Sequence, residues 1–194
     1  MDKKAVIDFF DLRAASWDEK AVLDSRIVNE ILDFAGIGEG CKVLDVATGT
    51  GILIPYYLSR NVSECVGVDI SPKMTEEAKN KFKDIPNVEI LCADAEESQL
   101  GEEFDCIVIH NAFPHFVNPR RLFENLGRHL KKGGRITVAH SMSRAALVKH
   151  HSGVPESVSS VLPEARELKA LMDEFFLTDI AVSDNEKYVV SGLK

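Results

Sequence analysis

A chain of 194 residues with a hydrophobic fraction of 45% can bury the core of one domain. Its formal net charge of −8 opposes non-specific attraction to nucleic acid, which needs clustered positive charge. No apolar stretch approaches the roughly 20 residues that cross a bilayer, and the charged start MDKKAVIDFFDLRAASWDEK has no signal-peptide core, so a soluble cytoplasmic protein without nucleic-acid or membrane partners is expected.

Residues 19–35 carry apolar side chains at 27, 28, 31, 32 and 35, a helical stripe, and residues 1–36 read as an N-terminal helical cap. Residues 42–46 form a short apolar strand, followed by a helix over about 51–60 in which Pro55 is tolerable only near the first turn. Residues 65–69 are a second strand. Ser71-Pro72 then supplies a cap and a first-turn proline for a helix to about 83. Strands follow at 88–92 and 105–110. Asn118-Pro119 repeats the cap-plus-proline start of a helix, expected to stop at Gly133-Gly134 and to carry Arg120/Arg121, Lys131/Lys132 and His129 as cations on its solvated face and C-terminal end. Residues 135–140 are a fifth strand. The stretch 141–162 is less regular and reads as a candidate lid; Pro163 opens a last helix, and 177–183 and 187–193 form a hairpin. Cys41, Cys65, Cys92 and Cys106 form no CxxC pair and are expected as buried reduced thiols, their spacing being wrong for zinc.

Alternating strands and helices predict a doubly wound, mostly parallel α/β sheet of seven strands in one domain. The last turn is too short for a crossover, so the final pair is antiparallel, with one reversed strand near an edge. In such sheets ligands bind beyond the carboxyl ends of the strands. Polar residues gather there: Asp45 before a small-residue turn, Asp69, Asp94, His110-Asn111 and His140-Ser141.

The turn in VLDVATGTG does not fit a dinucleotide site. Aligning G-x-G-x-x-G on Gly49 and Gly51 puts Ile54 at the third glycine, and one step earlier puts Ala47 and Ile52 at the ends. A ligand that needs close backbone approach but carries no pyrophosphate fits better. Asp69 stands where an acid accepts ribose hydroxyls, and Asp94 where one accepts from an adenine amino group. A nucleoside of that description matches S-adenosylmethionine (SAM).

DVATGTG, GVDIS, CADAEE, FDCIVIHNAFPHF and LKKGGRITVAHS together resemble the successive motifs of class I SAM-dependent methyltransferases over about residues 40–140. FFDLRAASWDE and the C-terminal helix plus hairpin extend the likeness to nearly the whole chain. HNAFPHF is similar to the small-molecule branch that includes quinone-ring C-methyltransferases. Ala47 departs from the family's usual first glycine and should narrow the turn. The resemblance implies that Asp45, Ala47, Thr48, Gly49 and Gly51 hold the methionine and ribose of SAM, and that Asp69 binds the ribose hydroxyls. It further implies that Ile70 and Met74 pack near the adenine, that Asp94 and Ala95 contact its edge, and that His110 and Asn111 flank the methyl-transfer position.

His110 and His140 end adjacent central strands, His115 shares the loop after His110, and His150 and His151 lie in the candidate lid. Some of them could meet above the methyl group as a general base, with His110, His115, His140 and His150 the catalytic candidates. They could equally be local caps. Histidine also suits zinc, but no metal ligand set is assigned. Phe10 and Trp17 could cover the site, with Phe9 beside them, and Arg144 and His151 could meet the substrate, Arg144 as a carboxylate clamp.

The reading is methyl transfer from SAM to a small-molecule acceptor. A protein or RNA methyltransferase, a non-catalytic SAM-binding module and a nucleotide-dependent oxidoreductase are the alternatives. HNAFP lacks the N/D-P-P-aromatic pattern of base-amine and protein-glutamine methyltransferases.

Overall fold

The computed structural model describes the chain apart from Ala21, Glu102 and Ser152 and the side chains of Lys20 and His151. Seven strands form one sheet: β1 (Lys42–Val46), β2 (Glu64–Asp69), β3 (Val88–Cys92), β4 (Phe104–His110), β5 (Leu130–His140), β6 (Leu177–Ser183) and β7 (Tyr188–Leu193). Their order is β3-β2-β1-β4-β5-β7-β6. The first five are parallel, and β7 runs antiparallel to both β5 and β6. The strand order therefore reverses between β1 and β4, where doubly wound sheets bind ligands.

The helices are α1 (Lys3–Asp11), α2 (Trp17–Lys20), α3 (Ser25–Phe34), α4 (Ile54–Ser59), α5 (Pro72–Phe82), α6 (Pro119–His129), α7 (Arg144–His151) and α8 (Ala165–Met172). Alternation along the strands splits the core into two layers. Leu44, Val46, Ile107 and Ile109 pack with Leu122, Phe123 and Met172 on one face. Val43, Cys65 and Val108 pack with Val28, Leu32, Ile54 and Tyr57 on the other. Among the described residues no helix is long and apolar enough to cross a membrane.

The cap-plus-proline starts form as their chemistry requires. Ser71 Oγ accepts from Met74 N at 3.1 Å and Asn118 Oδ1 from Arg121 N at 3.1 Å. The helix expected within 19–35 begins at Ser25, where Asp24 Oδ1 caps Arg26 N at 2.9 Å. The last helix starts at Ala165 because Glu164 and Glu167 form a reciprocal capping box.

The end of α6 departs most from expectation. The helix stops at His129, and Leu130 already pairs with Phe104 on β4. Gly133 and Gly134 serve an irregularity in that pairing instead of a helix end. Gly133 has φ +78°, and a Cβ on Gly134 would sit 2.9 Å from Asp105 O. Lys131 and Lys132 thus belong to β5, with Lys131 Nζ on Asp105 at 2.9 Å. His129 does not lie on a solvated face. It is buried, its Nε2 accepts from Leu100 N at 3.4 Å, and its Nδ1 lies 3.2 Å from Gly101 O. Of the cysteines, Cys65 and Cys106 are buried and Cys41 half-buried, but Cys92 is exposed because β3 is a sheet edge.

Candidate functional site

The strand register sets the site. Val46 of β1 is level with Val68 of β2 and Ile109 of β4. The next residues, Asp69, Ala47 and His110, therefore stand side by side at the carboxyl edge of the sheet. Asp45 is level with Gly67 and Val108, so alternation puts Asp45, Asp69 and His110 on one face. A cavity of about 610 Å³ opens there, within the range of small-molecule sites.

The turn after β1 contains three left-handed residues, Ala47 (φ 56°), Gly49 (φ 59°) and Gly51 (φ 80°), of which the first two line the cavity. Ala47 has the steric cost of that conformation, about 1–2 kcal/mol for a residue with a Cβ. The two glycines do different things. A Cβ on Gly49 would meet nothing within 4 Å, so its space belongs to the cavity. A Cβ on Gly51 would meet Phe82 Cε2 at 2.5 Å, and Gly51 does not line the cavity. Its place in the turn is explained by packing against α5.

Asp45 lies under the turn, 2% exposed, accepting from Thr48 Oγ1 at 2.6 Å and Tyr57 Oη at 3.1 Å. Burial pushes its carboxyl up to about 7, and Asp69 adds to the rise. Asp69 accepts Gly49 N and Ser71 N, each at 2.8 Å, and burial pushes it up to about 6. Two carboxyls held above their usual range make this end of the cavity favourable to a cation. Ile70, Met74 and Ala95 also line it.

Asp94 lines the cavity but is already engaged. Lys3 Nζ lies 2.5 Å from its Oδ2, and Glu96 N donates to Oδ1 at 2.9 Å. The same ammonium meets Glu96 at 3.0 Å and Glu97 at 2.9 Å. Lys3 and Glu96 escaped the sequence reading because nothing local links residue 3 to the end of β3. The rest of the N-terminal segment closes over the site. Trp17 stands edge-on to Phe10 at 5.6 Å, and Asp18 Oδ1 accepts from Thr50 Oγ1 of the turn at 2.5 Å. Phe10 and Trp17 both line the cavity, with Phe9 beside them.

The histidines do not converge as a group. His110 lines the cavity, is 8% exposed, and its Nε2 has no hydrogen-bond partner. Burial pushes it down to about 4, so the imidazole is neutral. His115 also lines the cavity, with Nδ1 3.0 Å from Val158 O and its ring 5.0 Å from Phe10. His150 reaches the mouth from α7. His140 does not line the cavity. The register pairs His110 with Ala139, so the next residue turns to the other face, where the His140 ring meets Tyr188 edge-on at 6.0 Å. The side chain of His151 lies outside the described residues. Arg144 is away from the cavity: Nη1 pairs with Glu164 at 2.9 Å and Nε donates to Leu162 O at 2.9 Å, tying the start of α7 to the segment that caps α8. Asn111 lines the cavity, but its amide bridges strand ends, donating to Ser141 Oγ at 3.1 Å and accepting from Ser141 N at 3.0 Å.

The stretch 141–162 contains α7, and two backbone hydrogen bonds tie its later part to the rest of the fold. Asp2 N donates to Ser157 O at 2.9 Å and Ser160 N to Pro114 O at 2.8 Å. It brings Met142, Leu147 and Val154 to the cavity wall. Among the described residues no group of three His, Cys, Asp or Glu is placed to hold a metal ion.

Comparison with known proteins shows the family and the fold. A family profile described as a methyltransferase domain matches residues 44–138. The malonyl-[acyl-carrier protein] O-methyltransferase of Acetivibrio thermocellus is 30% identical over 137 residues, covering 69% of this chain and 48% of that protein. The ubiquinone/menaquinone biosynthesis C-methyltransferase of Serratia proteamaculans is 31% identical over 180 residues, covering 86% of this chain and 71% of that protein. The chain spans 48%, 61% and 59% of the length of the first three curated relatives it matches. Magnesium protoporphyrin IX methyltransferase from Synechocystis PCC 6803, solved with bound S-adenosylhomocysteine (SAH), shares the fold at TM-score 0.75 and 15% identity, over 100% of both chains. By fold, motif order and sequence, the chain belongs to the class I SAM-dependent methyltransferases.

Proposed function

We propose that this chain transfers the methyl group of SAM to a small-molecule acceptor. The observation that carries the reading is one cavity lined both by the sheet edge and its turn, with the acids Asp45 and Asp69 and with Gly49, and by apolar residues of the N-terminal segment and of 141–162, Phe10, Met142, Leu147 and Val154, with His110 of β4 among them.

The residues present fit the cofactor. Asp69 uses one lone pair on each oxygen for backbone N–H groups and keeps others for ribose hydroxyls. Ile70 and Met74 offer an apolar surface for the adenine, and the open space at Gly49 admits the methionine portion. Bound SAM supplies a methyl group on a positively charged sulfur, already a good leaving group. The chain's own part is to favour that charge with Asp45 and Asp69, to exclude water with Phe10 and Trp17, and to align the acceptor.

The test incubates the purified chain with methyl-labelled SAM and a cell extract split into small-molecule, protein and RNA fractions. Label in the small-molecule fraction is expected. Label confined to protein or RNA refutes the acceptor class. Failure to bind SAH refutes the cofactor site.

A further inference from the structure

Resting on that reading, we infer that Arg13 binds the carboxylate of the cofactor's methionine portion, carried over the site by the N-terminal segment.

Three observations carry this. First, the N-terminal segment crosses the strand ends in the order of the cofactor's parts. Lys3 Nζ meets Asp94, after β3, at 2.5 Å. Asp11 Oδ1 accepts from Ser71 Oγ at 2.5 Å and from Lys73 N at 3.1 Å, after β2. Asp18 Oδ1 accepts from Thr50 Oγ1, after β1, at 2.5 Å. On the reading above, adenine, ribose and methionine follow the same line, beside Met74, at Asp69 and at the open space of Gly49. Arg13 stands between Asp11 and Asp18, so the chain at Arg13 spans the step from the ribose acid to the methionine turn, and its side chain lines the cavity.

Second, the charges leave one group to be matched. The amino-acid end of the cofactor carries an ammonium and a carboxylate. Asp45 and Asp69 suit the sulfonium and the ammonium and cannot take the carboxylate. The Lys and Arg side chains of the cavity are Lys3 and Arg13. Lys3 is held by Asp94, Glu96 and Glu97, whereas Arg13 has no carboxylate within 4.0 Å among the described residues. Arg144, the carboxylate clamp expected from the sequence, is engaged with Glu164 outside the cavity.

Third, the Arg13 side chain is already oriented. Its guanidinium carbon lies 3.5 Å over the Phe9 ring, and Nη1 donates to Phe9 O at 2.7 Å. The ring fixes the guanidinium, and that bond uses one of its five N–H donors. The planar fork that remains matches a carboxylate with two parallel hydrogen bonds, and an orientation held before the ligand arrives lowers the entropy cost of forming them.

The experiment titrates the full chain by calorimetry with SAH and with 5′-deoxy-5′-(3-aminopropylthio)adenosine, which is SAH without its carboxylate. Wild type should bind SAH about tenfold more tightly or better. Arg13→Gln should lower SAH affinity about tenfold and leave the decarboxylated compound within about twofold, which also shows that the variant is folded. Arg13→Lys keeps the charge and loses the fork, so its SAH affinity should fall between the two. No preference of wild type for SAH, or an Arg13→Gln loss that is absent or equal for both ligands, overturns the inference. Wild type that binds neither ligand overturns the cofactor reading instead, so the two failures are distinguishable.

Discussion

Asp45→Asn exposes the energetic tension beneath the turn after β1. Burial lifts the Asp45 carboxyl from its ordinary 3.8 to about 7. One unit is worth about 1.4 kcal/mol, so the ionised group costs the ligand-free fold on the order of 4 kcal/mol at pH 8. The folded chain holds this proton more tightly than the unfolded one. The penalty is therefore complete above about pH 7 and is relieved as pH falls from there toward 3.8. At pH 5 less than half of it remains, a change of about 3 kcal/mol. Asparagine carries no charge at either pH, and the Thr48 and Tyr57 hydroxyls can turn to serve an amide. His110, lowered to about 4, titrates in the same window with the opposite sign, but it is common to both proteins and cancels in their difference. The variant should melt above wild type at pH 8, and the gap should close by roughly 8 °C on going to pH 5. Scanning calorimetry of both ligand-free proteins at four pH values measures it. A gap that stays constant from pH 5 to 8 refutes the reasoning. The same variant should lose affinity for SAM more than for SAH, since the two differ by the sulfonium charge.

Three further outcomes are expected. His110→Phe removes a buried unpartnered nitrogen without emptying its space, so it should raise the ligand-free stability at pH 7 by about 1–3 kcal/mol, read in a urea melt. Lys3→Met leaves Glu96, 3% exposed, beside two other acids without their ammonium. It should cost about 1–3 kcal/mol, and hydrogen exchange should quicken over α1. Gly51→Ala meets Phe82 in a left-handed turn and should destabilise the fold by about 2 kcal/mol or more. Ala47→Gly releases left-handed strain and should leave stability equal or higher, as thermal melts would show.

Local chemistry made much of this protein readable from the chain. Ser71-Pro72 and Asn118-Pro119 start helices because a side-chain oxygen and a fixed φ act within four residues. The apolar runs at 42–46 and 105–110 become central strands because parallel strands are covered on both faces. The hairpin 177–193 had to be antiparallel because its turn cannot cross the sheet. The same runs placed Asp45, Asp69 and His110 at one edge.

What distance in sequence hides, the tertiary structure decided. Gly133 and Gly134 look like a helix stop, yet pairing of Leu130 with Phe104 wins and makes them part of a strand. His110 and His140 look equivalent at the ends of adjacent strands. A register that sets His110 against Ala139 sends them to opposite faces, and a two-residue side-chain period allows no compromise. Arg144 reads as a free cation until Glu164, brought beside it by the fold of 141–164, pairs with it, and Asp94 reads as a free acid until Lys3 arrives from the start of the chain. Residue type and local spacing determined the elements and the acidic edge proposed to receive the cofactor. Register and long-range charge pairing, which no window of sequence contains, decided which polar groups remain open to a ligand.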